Sequence, residues 1–147
     1  MVGFFCILVA MPRMSHLTFR IWLVLGRSLG SGVATYIAAH KPVSNVILVT
    51  PFDSVESLAS EAFPWLPVRW ILRHPFPSVE YARSIDKPLL MLVAAADEMI
   101  PTRHSETLFQ AWQGEKHWRF LQAAGHNNIQ LHPDYYPAIQ AFVSGKG

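Results

Sequence analysis

Apolar residues fall in short unbroken runs along this chain. Ile21 to Leu25, Val46 to Val49 and Leu89 to Ala94 are continuous hydrophobic stretches, the pattern of parallel strands covered on both faces. Trp118 to Gln122 alternates and predicts a further strand. Helical patterns lie between them. Ser28 to Ala39 places Leu29, Val33 and Ile37 on one stripe and closes at His40-Lys41-Pro42. Pro101-Thr102 opens a helix over about Ser105 to Trp112, and a last helix covers about Tyr135 to Val143. Strands alternating with helices predict an α/β fold: a mostly parallel sheet of about four strands with helices on both faces.

Two segments depart from this rhythm. Residues 51–84 carry Pro51, Pro64, Pro67, Pro75 and Pro77 among many aromatics, and predict short helices over Ser57 to Ala62 and Val68 to Arg73. Residues 1–19 form an atypical apolar start. Val2 to Met11 is too short to span a bilayer and lacks the basic flank of a signal peptide. Its apolarity keeps membrane-surface association open, so the expected location is cytoplasmic or membrane-associated.

Composition narrows the function classes. Half of the residues (51%) are hydrophobic, enough for a core. Twelve Lys and Arg against ten Asp and Glu, without runs, do not make a nucleic-acid surface. The one cysteine, Cys6, excludes an internal disulfide and a cysteine-based zinc cluster, and reads as a small buried apolar residue.

The candidate chemistry begins at Gly26-Arg27-Ser28-Leu29-Gly30, a G-x-S-x-G sequence between a predicted strand and a predicted helix. A serine on such a sharp turn stands clear of the sheet, and the helix N-terminus behind it favours developing negative charge. The backbone N–H of Leu29 is then an oxyanion-hole donor. A nucleophilic serine needs a base and an orienting acid. Asp97 and His126 each follow a predicted strand, in the chain order serine, acid, histidine that this turn calls for. The plainer alternatives are a turn or capping role for Asp97 and a solvated loop role for His126. His40 reads as a helix C-terminal charge and His104 as a helix N-terminal neighbour. No cofactor or metal is implied.

These residues, with Gly26 to Ala34 (GRSLGSGVA), Asp97 to Pro101 (DEMIP), Gly125-His126-Asn127 and Pro64 to Val68 (PWLPV), resemble the α/β-hydrolases. Within that superfamily they are similar to the serine hydrolases that include Bem46-like proteins and the α/β-hydrolase-domain types 13 and 17. The resemblance covers about residues 20–143. It implies hydrolysis of an acyl ester, thioester or amide by a triad of Ser28, Asp97 and His126, with a small-molecule acyl substrate. It also implies a lid-like insertion at about 51–84, where Phe52, Phe63, Trp65, Leu66, Trp70, Ile71 and Phe76 either line an acyl pocket or pack on the sheet. Ala94-Ala95-Ala96 and Asn128 depart from the resembled pattern, as do residues 1–19.

In the resembled fold several strands precede the elbow, and a loop among them supplies a second oxyanion N–H. No such loop is legible before Ser28. Residues 20–147 are therefore expected to form the C-terminal portion of a hydrolase domain, from a fragment or a late-starting gene. Ile21 to Leu25 would be an open edge unless residues 1–12, an oligomer or a second chain paired with it. The alternative function is a non-catalytic fragment, pseudoenzyme or interaction module.

Overall fold

A computed structural model describes residues 5–11, 20–71 and 76–145. Five strands form one sheet in chain order: β1 (Phe5–Met11), β2 (Arg20–Arg27), β3 (Val43–Val49), β4 (Leu89–Ala94) and β5 (Lys116–Leu121). Strands β2 to β5 are mutually parallel, whereas β1 pairs antiparallel with β2, from Phe5 opposite Arg27 to Met11 opposite Arg20. The sheet thus has one strand more than the sequence pattern predicts. Part of the apolar start supplies it, and Ile21 to Leu25 is not an edge. Cys6 on β1 is half-buried and packs against the core, and burial pushes its thiol upward, away from the reactive thiolate.

The unbroken apolar runs are explained by burial on both faces. Along β3 and β4, Val46, Leu48, Leu89, Met91 and Val93 enter one core, while Ile47, Val49, Leu90, Leu92 and Ala94 enter the other. Each such fully buried Leu, Ile or Val contributes about 1.5–3 kcal/mol. Helices α1 (Leu29–His40), α4 (Ser78–Ala82) and α5 (Thr102–Ala111) cover the first face, through Ala34, Ala38, Ala82, Leu108 and the adjoining Trp112. The strand order steps in one direction only, so crossovers of one hand all land on this side. The second face is covered by a 3₁₀ turn (Ile129–Leu131) and α6 (Tyr135–Val143), which follow β5.

Helix α1 corrects the stripe read from the sequence. Leu29 and Val33 are exposed while Ile37 packs partly against the core, and the buried side is Gly30, Ser31, Gly32, Ala34, Thr35 and Ala38. Small residues win because they let the helix backbone close on the sheet. A Cβ on Gly26 would lie 2.4 Å from the Gly30 carbonyl oxygen and 2.5 Å from the Ala34 Cβ. Ser31 and Thr35 are buried without penalty, since their hydroxyls donate to the carbonyls of Ser28 (2.6 Å) and Ser31 (2.8 Å).

Between β3 and β4 lie α2 (Val55–Ala62), capped by the Ser54 hydroxyl accepting from the Ser57 N–H, then α3 (Val68–Ile71) and α4. The predicted helix over Val68 to Arg73 is described as far as Ile71, its last two residues lying outside the described residues. No residue of α2 is fully buried. Among the described residues no helix is long and apolar enough to cross a membrane.

Candidate active site

The backbone turns sharply between β2 and α1, and Ser28 takes φ 52°, ψ −124°, a conformation that side chains rarely adopt. Its N–H donates to the Val49 carbonyl (2.9 Å), tying the elbow to β3, and its carbonyl accepts from the Ser31 N–H (2.9 Å). Thr50 (φ 44°) and Ala123 (φ 57°) also bear positive φ just beyond the ends of β3 and β5, so backbone strain collects along the same edge of the sheet. Leu29 opens α1, and its N–H has no helical carbonyl four residues back.

Asp97 follows β4. Its Oδ1 accepts from the N–H groups of Met99 (2.9 Å) and Ile100 (2.8 Å), a tight turn that fixes the carboxylate plane. The same carboxylate meets His126 Nδ1 at 2.9 Å through Oδ2 and 3.1 Å through Oδ1. The turn role and the histidine partner are therefore one side chain. An ionised carboxylate only accepts, so Nδ1 carries the proton and Nε2 is left as acceptor. His126 Nε2 lies 2.9 Å from Ser28 Oγ, the distance at which the hydroxyl donates to it. All three side chains are buried, at 4% exposure for Ser28, 1% for the His126 ring and 3% for the Asp97 carboxylate.

The histidine turn is held independently. The Gly125 N–H donates to Asn128 Oδ1 (2.7 Å), which gives the unexpected Asn128 a local task. The Ala96 N–H donates to the Ala124 carbonyl (2.8 Å), and Arg27 Nη2 donates to the His126 carbonyl (2.9 Å). Sequence spacing pointed to none of these three hydrogen bonds. Near Arg27, burial pushes the Tyr135 phenol up, an effect the guanidinium charge opposes.

The aromatics of the insertion separate into two groups. Phe52 is buried and approaches Gly32, with Phe76 beside it; a Cβ on Gly32 would lie 3.1–3.2 Å from both. Phe63, Trp65 and Trp70 are 49%, 79% and 89% exposed, so these three do not pack on the sheet. Phe63 and Trp65 follow α2, no residue of which is fully buried, whereas on α3, which carries Trp70, the buried residue is Val68. Leu66 is partly exposed, and the Ile71 side chain lies outside the described residues.

A second buried histidine was hidden from sequence reasoning. His104 Nδ1 lies 2.9 Å from Asp53 Oδ1 and its Nε2 3.0 Å from Glu61 Oε2, while Arg103 also pairs with Glu61. This clasp joins α5 to α2, with partners 51 and 43 residues away. His104→Ala should lower stability by about 1–3 kcal/mol, mostly through Asp53, because Glu61 stands partly in solvent. A urea midpoint equal to that of wild type would contradict the clasp. Among the described residues no group of three or more His, Cys, Asp or Glu could hold a metal ion.

No family model matches the sequence. Relatives do. The Mycobacterium tuberculosis protein Rv2307c, named uncharacterized, is 33% identical over 106 residues, covering 72% of this chain and 38% of the relative. Human alpha/beta hydrolase domain-containing protein 17B is 28% identical over 122 residues, covering 83% and 41%. The Paleococcus ferrophilus monoacylglycerol lipase structure superposes with a TM-score of 0.63 at 16% identity, over 85% of this chain and 68% of that one. The fold is that of the α/β-hydrolases, and the chain is similar in sequence to a protein named for that domain. It spans about two fifths of the length of the curated relatives it matches, 38% and 41%. In α/β-hydrolase terms β2, β3, β4 and β5 are parallel strands whose carboxyl ends carry, or lead into, Ser28, Thr50, Asp97 and His126.

Proposed function

We propose that this chain carries the active site of a serine hydrolase that cleaves acyl esters, thioesters or amides through an acyl-enzyme. The observation that carries the reading is the chain of hydrogen bonds from Asp97 through His126 to Ser28 on a strained elbow. In this reading Ser28 Oγ attacks the substrate carbonyl carbon while its proton passes to His126 Nε2. Asp97 keeps the ring in the tautomer with Nδ1–H and stabilises the imidazolium. The Leu29 N–H, at the positive end of α1, donates to the oxyanion. Collapse expels the leaving group with the proton held by His126, and water, deprotonated by the same ring, then releases the acyl group. The buried Phe52 and the partly exposed Phe76 pack on Gly32, one helical turn from Ser28, and apolar walls there favour an acyl chain over a polar peptide.

The second reading is a non-catalytic interaction module. In that reading the Leu29 N–H would act without a second oxyanion-hole donor. A hole lacking one donor loses about 10²–10³-fold in rate. A fluorophosphonate probe followed by peptide mapping separates the two. A single adduct on Ser28 is expected; a folded protein that takes no label, or takes it elsewhere, would overturn the hydrolase reading.

A further inference from the structure

We propose that Arg27 is a positioning residue for His126, its guanidinium holding the histidine backbone from beneath while Ser28 meets the ring. The inference rests on the hydrolase reading above and extends it to the open position of the G-x-S-x-G sequence. On β2, Leu23 and Leu25 belong to the core covered by α6, and alternation puts Arg27 on that same side. There it is 7% exposed. A guanidinium is always charged, and burying it is costly unless its N–H groups are bonded. Nη2 donates to the His126 carbonyl at 2.9 Å, across 99 residues of chain.

The geometry closes a small loop. Two consecutive residues of one turn grip two ends of one histidine: Arg27 the carbonyl, Ser28 the Nε2. A drift of the histidine turn relative to the elbow strains both hydrogen bonds. Asn128 and Ala96 restrain the turn against its own loop and the acid loop, but Arg27 refers it to the nucleophile strand. Arginine suits the task because its rigid fork holds a direction that a lysine ammonium does not.

The test compares Arg27→Met and Arg27→Lys with wild type in the full-length protein. Ester turnover should show kcat reduced about 10²-fold for Met and about tenfold for Lys, with KM nearly unchanged, the signature of a misplaced base. Proton NMR should show the downfield His126 Nδ1–H resonance of the Asp97 pair sharp in wild type and broadened in Arg27→Met. Wild-type kcat together with a sharp resonance in Arg27→Met would overturn the proposal. If that variant does not fold, Arg27→Lys decides: lowered kcat at constant KM supports the role, and wild-type kcat refutes it. If wild type turns over too slowly to measure, the resonance decides. Ser28→Ala is the control that separates the two readings. Full activity in it would sink the hydrolase reading itself, whereas its inactivity beside an unimpaired Arg27→Met sinks the positioning role alone.

Discussion

Ser28→Ala is expected to lower acyl-ester turnover by about 10⁵–10⁶-fold, the scale of losing a triad nucleophile. On the hydrolase reading the loss is this large because the three side chains would act as a unit. Without Oγ, the base at Nε2 has no proton to take and the Asp97–His126 pair orients nothing. What remains is binding and the helix N-terminus, which act on a water in place of a held nucleophile. The fold should survive. Alanine at φ 52° is strained as serine is, and the substitution removes the 2.9 Å hydrogen bond to His126 while leaving the backbone bonds of the elbow in place. Steady-state hydrolysis of a p-nitrophenyl ester, with circular dichroism as the folding control, makes the measurement. Residual activity above about one per cent of wild type would assign the nucleophile elsewhere.

Gly26→Ala should destabilise the domain by about 3–5 kcal/mol, a loss large enough to unfold many domains at body temperature. The new methyl group would meet the Gly30 carbonyl oxygen at 2.4 Å, the Gly30 carbonyl carbon at 2.8 Å and the Ala34 Cβ at 2.5 Å. None of these is the free end of a flexible side chain, so relief requires α1 to lift from β2. Lifting α1 opens the core around Ala34 and Ala38 and swings the elbow that carries Ser28. Urea unfolding of the variant reads the effect directly. A midpoint equal to that of wild type would mean that helix and strand do not approach this closely.

The central sheet was legible in the sequence because residues buried on both faces leave no polar alternation, and β3 and β4 are such strands. Ser28, Asp97 and His126 were legible because each sits at a strand end in a fixed chain order. Other features were not, for separable reasons. An edge strand such as β1 is known only through its partner, and its apolar run reads equally well as a membrane-seeking start. On α1 the eye follows Leu29, Val33 and Ile37, yet small residues gain more by close approach than large ones by burial, so Leu29 and Val33 face outward and only Ile37 packs partly against the core. His104 and Arg27 carry roles set by groups many tens of residues away, and no local pattern encodes such a pairing. The aromatics of residues 51–84 showed abundance without address: Phe52 is buried and Trp70 is 89% exposed.

The one-sided crossovers have a consequence for synthesis. As the chain leaves the ribosome, β2, α1 and β3 can pair as soon as they emerge, since their contacts are local. The opposite face of the sheet, with Ile47, Leu90 and Leu92, stays uncovered until the 3₁₀ turn and α6 arrive. Throughout that interval the nascent domain shows a sticky apolar plane and an elbow serine with no histidine beside it. On the hydrolase reading, reactivity at Ser28 would switch on late, together with the covering of that plane, and a stalled chain would be a client for chaperones before it could act on a substrate.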